Sequence, residues 1–256
     1  MKKIILQSVA LFFVSLLLLT SCLGEGRNVE SGSTVGVVRF DFKSARNVLD
    51  VSAVDAFYSS RFQMDNDGDC FSVDYEIDYD DPVNSPESIE ANGYFTVKIF
   101  DRTSIPKGFI NFLTDTSQAV TDELPLLSPV LNGESRYING MFFIVSALQM
   151  PSDQKMDFHI SYDMENMLTE EYVDRYYNVF MRATVFTAGR DSKENTAVRN
   201  AFPLKYLFEY IARKEKESGG KTFNLRFNYP SEISEDGQIK WQHQDLNYIP
   251  VDHILP

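Results

Sequence analysis

The stretch Cys70-Phe71-Ser72-Val73-Asp74-Tyr75-Glu76-Ile77-Asp78-Tyr79 decides the fold class. Phe71, Val73, Tyr75, Ile77 and Tyr79 alternate with Ser72, Asp74, Glu76 and Asp78. Successive side chains of a strand point to opposite faces, so this period of two predicts a strand with one buried face and one wet, acidic face. Parity puts Cys70 on the wet face, accessible and unpaired, beside carboxylates that disfavour its thiolate. A bulge at Gly68-Asp69 is the alternative, and it would turn the thiol inward.

The residues just before this strand, Asp65-Asn66-Asp67-Gly68-Asp69, suggest a calcium loop. Asp65, Asp67, Asp69 and Glu76 fall at ligand positions 1, 3, 5 and 12 of an EF-hand. Position 6 requires Gly and holds Cys70, and Glu76 belongs to the strand rather than to a helix start. The segment therefore reads as a tight turn, with a weak surface calcium site as the alternative.

Outward from this strand the same period recurs. Val35–Phe42 and Tyr94–Phe100 read as strands, with Pro82, Asn84 and Pro86 marking a loop. Residues 101–135 are irregular and hold Pro106, Pro125 and Pro129, which places a domain boundary near residue 130. Strands resume over Tyr137–Gln149, Met156–Tyr162 and Tyr177–Ala188. The last is apolar on both faces, as a central strand is. Leu204, Leu207, Phe208 and Ile211 fall at helical spacing, so one helix is predicted near 203–216, with Pro203 in its first turn and Gly219-Gly220 past its end. Thr222–Tyr229 reads as a further strand, and Ile239-Lys240-Trp241 closes the domain. No internal repeat is present.

The N-terminus carries an address. Lys2 and Lys3 precede an apolar run from Ile4 to Leu19, followed by Leu19-Thr20-Ser21-Cys22. A positive start, a short apolar core and a small-residue cleavage site are the layout of a signal peptide over residues 1–21. The run is shorter than the ~20 residues that span a bilayer comfortably, and no positive flank follows it, which disfavours a retained anchor helix. Residues 22–34 are polar and glycine-containing and read as a flexible tether.

Composition excludes several classes of function. The chain carries 24 basic and 37 acidic residues, and losing Lys2 and Lys3 takes the net charge from −13 to −15. Such a protein repels nucleic acid and anionic headgroups. Hydrophobic residues make up 43%, with 20 Phe and 13 Tyr, which favours a packed, strand-rich core. His159, His243 and His253 have no Cys or carboxylate partners at zinc spacing. Gly220-Lys221-Thr222 ends like a phosphate loop but has Glu215 where the loop's first Gly belongs. Neither Gly-x-Ser-x-Gly nor His-Glu-x-x-His occurs. Trp241 and the pair Tyr176-Tyr177 are the aromatic candidates for stacking on a sugar, although aromatics at strand spacing more often form core.

Leu-Thr-Ser-Cys resembles the lipobox of bacterial lipoproteins, with Ser21 where Gly or Ala is frequent. The resemblance implies a diacylglycerol thioether and an acylated amine at Cys22, which together anchor the chain durably. Cys70 would then be the one remaining thiol, no intramolecular disulfide could form, and the core alone would hold the fold. Leu23 and Gly24 follow, with no Asp after Cys22, which resembles outer-membrane lipoproteins of Gram-negative bacteria. Beyond the lipobox, Gly68-Asp69-Cys70-Phe71-Ser72-Val73-Asp74-Tyr75, Tyr176-Tyr177-Asn178-Val179-Phe180 and Phe223-Asn224-Leu225-Arg226-Phe227-Asn228-Tyr229 resemble, in that order, stretches of the NigD-like lipoproteins. The resemblance implies a mainly β chain with a small N-terminal OB-like barrel over residues 35–130 and a C-terminal β-sandwich over 131–256. Residues 44–62 depart from it, lacking an Asp-Gly strand pair. The family brings no catalytic residue and no cofactor. The expectation is a non-enzymatic envelope lipoprotein, held to the membrane through Cys22, that binds a protein or glycan partner and no nucleic acid. The alternative is a glycan or peptide hydrolase working through a carboxylate pair that no motif marks.

Overall fold

The computed structural model describes residues 27–112, 116–130, 136–171 and 174–255. The signal peptide and Cys22 lie outside them. Five strands form a closed barrel: β1 (Val29–Asp41), β2 (Arg46–Asp50), β3 (Ala56–Tyr58), β4 (Cys70–Asp78) and β5 (Phe95–Ser104). Their order around the barrel is β1-β2-β3-β5-β4, and β4 pairs back to β1. The alternating stretch is β4, and Phe71, Val73 and Ile77 are buried in the barrel with Val38, Leu49, Phe57 and Phe62.

The tether ends earlier than expected. Val29 to Thr34 pair with Asp78 to Val73, so these residues belong to β1 and close the barrel. Most of their side chains are exposed, and only the backbone ladder holds them, which hydropathy patterning does not reveal. Residues 44–62, which lack turn chemistry, nevertheless form β2 and β3. The β1–β2 connection Phe42-Lys43-Ser44-Ala45 contains no Gly or Asn. Asp41 caps it by accepting the Ser44 N–H at 2.9 Å, and Ala45 takes φ 53°. The loop expected around Pro82–Pro86 includes a short helix, α1 (Pro86–Asn92), capped by the Ser85 hydroxyl and ended at Gly93 with φ 78°.

The remaining strands build two further sheets. β6 (Phe109–Phe112), β7 (Glu123–Leu124), β11 (Lys155–Tyr162), β12 (Leu168–Glu171), β13 (Asp174–Thr187), β15 (Thr222–Ile233) and β16 (Ile239–Pro250) make a seven-stranded sheet. β8 (Ser128–Val130), β9 (Arg136–Ile138), β10 (Met141–Pro151) and β14 (Lys193–Pro203) make a four-stranded one. β13 lies between β11 and β15, central as its two apolar faces require. The sheets pack face to face, with Phe142, Ile144, Leu148 and Phe202 of one against Phe158, Val179, Met181 and Phe227 of the other. Helix α2 (Lys205–Glu217) closes this core with Leu207, Phe208, Ile211 and Ala212. Pro203 ends β14 rather than opening the helix.

Strand pairing ties residues on both sides of residue 130 into the same sheets. β6 pairs with β11, β7 with β13 and β8 with β10, so Phe109–Phe112, Glu123–Leu124 and Ser128–Val130 belong to the sandwich sheets. The segment expected as one strand over Tyr137–Gln149 is a hairpin. Ile138 faces Met141 across Asn139-Gly140, with φ 44° and 84°. Two residues at positive φ are what a tight primed turn needs, and Asn-Gly supplies them at least cost.

Barrel and sandwich share a small core. Val35, Val37 and Cys70 from the outside of the barrel pack with Ile105, Ile138, Phe143 and Ala201. Cys70 is therefore buried, at 2% exposure, and the expectation of an accessible thiol fails. Parity was right about the face: Cys70 stands opposite Val37 on the outside of the barrel, while Phe71 points in. The outer face is dry at this one place because the sandwich covers it.

Candidate functional site

The inward face of the barrel stays buried only part of the way along its strands. From Phe71 and Val73 it runs to Tyr75 and Tyr79, which are half-exposed at the barrel mouth. On β1 the matching inward row runs from Val38 through Gly36 and Thr34 to Glu30. Gly32 lies in this row, and a Cβ there would come within 3.3 Å of the Tyr75 hydroxyl oxygen. Its hydrogen leaves room for the ring to lie across β1.

The mouth holds a cavity of about 290 Å³ lined by Glu30, Thr34, Val51, Ser52, Asp55, Phe57, Tyr75, Ile77, Tyr79, Phe95 and Arg136. Four aromatic rings form its walls. Phe57 and Tyr75 lie 4.6 Å apart between centroids, and Tyr79 meets Phe95 edge to face at 6.3 Å. The Tyr75 and Tyr79 hydroxyls both donate to the Glu30 carboxylate, at 3.2 and 2.7 Å. The carboxylate acceptor holds the Tyr79 proton and, with burial, pushes that phenol up to about 12. Burial first, and then the same carboxylate, raises Tyr75.

Arg136 comes from the sandwich. Strand β9 carries it over the barrel mouth, where its Nη1 donates to Thr34 Oγ1 at 3.0 Å. The site is thus assembled from both parts of the chain. Neither Glu30 nor Arg136 stood out in the sequence. The Asn139-Gly140 pair was the available signal, because a hairpin there turns β9 back toward the barrel.

A second cavity of about 220 Å³ shares Ser52 and Asp55 with the first and is lined besides by Arg39, Asp50, Ala53, Val54, Ala56, Gly93 and Asn139. Arg39 Nε lies 2.9 and 3.2 Å from the two Asp50 carboxylate oxygens. Burial raises the Asp50 carboxyl and Arg39 pulls it back down. The loop 52–55 shared by the cavities is a compact turn in which Ser52 Oγ donates to Asp55 Oδ2 at 2.8 Å and accepts the Asp55 N–H at 2.9 Å.

The other sequence candidates lie elsewhere. The carboxylates of the acidic turn are each engaged separately: Asp65 pairs with Arg102, Asp67 accepts the Phe40 N–H at 3.1 Å, and Asp69 accepts the Asn66 N–H at 2.9 Å. Among the described residues no group of three or more His, Cys, Asp or Glu is placed to hold a metal ion. His243 and His253 are exposed. His159 is half-buried, stacked on Phe109 at 5.3 Å, with Nδ1 3.0 Å from Asn111 Nδ2 and Nε2 3.2 Å from Thr184 Oγ1. Its surroundings lower its pKa, chiefly through burial. Tyr177 is fully buried and donates to Glu215, while Tyr176 lies under the Arg226 guanidinium at 4.1 Å. The Trp241 ring packs on Phe180 and Arg182, and its N–H donates to the Thr116 carbonyl. Tyr177 is therefore not available to stack on a sugar, and Trp241 is half-buried. Among the described residues no helix is long and apolar enough to cross a membrane.

No curated protein matches the chain. An uncharacterized protein from Parabacteroides merdae ATCC 43184 shares 19% identity, with 84% of this chain and 98% of that chain covered and a TM-score of 0.71. A candidate lipoprotein from Bacteroides fragilis NCTC 9343 shares 9% identity over 86% of this chain and 99% of that chain, with a TM-score of 0.55. The structural neighbours include a NigD-like immunity protein from Bacteroides caccae ATCC 43185, at 14% identity over 88% and 99% of the two chains and a TM-score of 0.48. Residues 26–103 match the family model of the lipoprotein OB domain. The span of that match and the closed strand order β1-β2-β3-β5-β4 agree, and the N-terminal barrel of this chain is an OB domain of the kind found in lipoproteins.

Proposed function

We propose that the chain is a non-enzymatic lipoprotein of the Gram-negative envelope, anchored through lipid on Cys22 in the outer membrane, that binds a glycan in the mouth of its OB barrel. We divide the mature protein into a tether up to about residue 28, the barrel to Ser104, and the sandwich from Ile105 onward. The observation that carries the binding function is the aromatic-walled cavity with Glu30 fixed between two tyrosine hydroxyls. Aromatic faces receive the apolar faces of sugar rings, and a carboxylate held in place accepts their hydroxyls. Small-molecule sites are mostly apolar, with a few fixed polar groups, and enclose roughly 300–1,000 Å³. A flat protein epitope matches an exposed apolar patch better than a recessed mouth.

The test is calorimetric titration of the full-length lipidated protein in detergent micelles. The probes are neutral oligosaccharides of glucose, mannose and N-acetylglucosamine, from one to six residues long. At least one series binds, Tyr79→Ala and Glu30→Gln weaken it tenfold or more, and Trp241→Phe leaves it unchanged. The oligosaccharide emerges intact from prolonged incubation, whereas shortened products would restore the hydrolase. If no sugar binds, and the same variants instead lose capture of an envelope protein, the glycan reading is wrong.

A further inference from the structure

The mouth cavity alone, at about 290 Å³, is at the lower limit of small-molecule sites, and its neighbour, at about 220 Å³, is below it. Together they fall within the ordinary range. They are not independent features. Ser52 and Asp55 line both, so the two cavities adjoin at the turn 52–55. Hairpin 136–140 also serves both, with Arg136 over the first and Asn139 over the second. One loop thus forms a shared sill and one hairpin a shared roof. The two cavities differ in chemistry. The first is walled by aromatic rings. The second offers the Arg39–Asp50 pair, the Asn139 segment and the backbone around Gly93.

We infer that the two cavities are consecutive subsites of one cleft, and that the ligand is a neutral oligosaccharide of at least two rings. One ring lies in the barrel mouth, and the next crosses the Ser52–Asp55 sill into the polar subsite under hairpin 136–140. This inference rests on the glycan reading above and adds length and charge to it. Planar amide, carboxylate and guanidinium groups suit the second ring, because each can meet neighbouring hydroxyls in pairs. The charge follows from the lining. Arg39 is already engaged by Asp50 and Asp41, and Glu30 and Asp55 add two carboxylates to the first subsite against Arg136. An acidic sugar would meet net repulsion there, on a protein whose overall charge is −13. The roof belongs to the sandwich and the sill to the barrel, so the second ring bridges the two parts of the chain.

Chain-length dependence tests this in the full-length lipidated protein. Mono-, di- and trisaccharides of the series that binds best are titrated, together with an acidic disaccharide carrying a carboxylate. Two variants act on the second subsite alone. Val54→Trp adds bulk at a position 87% exposed, and Asn139→Gly removes a side chain while keeping a residue that tolerates positive φ. Thermal denaturation confirms that both remain folded. In the unmodified protein the disaccharide binds at least tenfold more tightly than the monosaccharide, and the acidic disaccharide at least tenfold more weakly than the neutral one. In both variants monosaccharide affinity stays within twofold, and the disaccharide falls to the monosaccharide level. A disaccharide no tighter than the monosaccharide overturns the two-subsite cleft and leaves the glycan reading standing, as does an equal loss for both sugars in the variants. Preferential binding of the acidic sugar overturns the charge argument. Failure of every sugar overturns the glycan reading itself, and the cleft with it.

Discussion

Truncating Phe143 to alanine asks whether barrel and sandwich are sealed together. Phe143 is fully buried in the shared core with Val35, Val37, Cys70, Ile105 and Ile138. Removing a buried Phe side chain costs about 3–5 kcal/mol, part transfer and part cavity. Cys70 reports the consequence, because its thiol at 2% exposure meets a reagent only when this core opens. A loss of about 3–5 kcal/mol in the closed state raises the open population, and so the alkylation rate, roughly a hundred- to a few-thousand-fold. The pH dependence identifies the route. Burial pushes the Cys70 thiol up from 9.0 to about 11, so the closed state at pH 8 holds only about one thiolate in a thousand. Labelling through opening follows instead the unperturbed thiol near 9.0. The same shift couples pH to stability. The neutral thiol is the favoured buried form, so stability present below pH 9.0 declines as pH rises toward about 11, by up to about 3 kcal/mol. The assay is mass-spectrometric alkylation of Cys70 in native protein between pH 7 and 9. Rapid labelling of the unmodified protein, or no acceleration in Phe143→Ala, would refute the shared core. Phe227→Ala, in the sandwich core away from the junction, separates local from global opening. Equal acceleration there would show that Cys70 is exposed only when the whole chain unfolds.

Gly36→Ala should destabilise the barrel by about 1–3 kcal/mol in urea denaturation, because a Cβ would lie 2.6 Å from both the Asp50 carbonyl oxygen and Leu49 Cγ; an unchanged midpoint would contradict the packing. Arg182→Met leaves Glu123 buried without its 3.0 Å partner, which should cost about 3–5 kcal/mol. Glu123 is already raised by burial, so adding Glu123→Gln should recover much of the loss, and a double variant no better than the single would contradict the pairing. Cys22→Ala should abolish incorporation of labelled palmitate and leave the protein unprocessed or in the soluble fraction. Membrane association unchanged after cleavage would contradict lipid anchoring.

The strand that decided the fold was legible because half of its environment is generic: core on one side, water on the other. Phe71, Val73 and Ile77 needed only that distinction. Cys70 needed more, since what covers it comes from Phe143 and Ala201, far along the chain. Local alternation carries no information about a partner surface that arrives later. Residues 29–34 were read as tether because they are polar and glycine-containing, yet their backbone closes the barrel. Strand β14 escaped notice because only Asn200, Ala201 and Phe202 of its eleven residues are buried. The β1–β2 connection is held by the Asp41 cap in place of glycine, so no turn motif marks it. The candidate site was missed for a different reason. Glu30 sits in the stretch assigned to the tether, and Arg136 stands on β9, which pairs with β10 across Asn139-Gly140 and lines the mouth from the sandwich side. That dipeptide was readable, but the surface it points toward was not.

The most direct test of the account is a crystal structure of the protein soaked with the oligosaccharide that binds it best. One sugar ring should lie against Phe57, Tyr75 and Tyr79, hydrogen-bonded to Glu30, with the next ring over Ser52 and Asp55 toward Arg39 and Asn139. Sugar density elsewhere on the protein, with the barrel mouth holding only solvent, would contradict it.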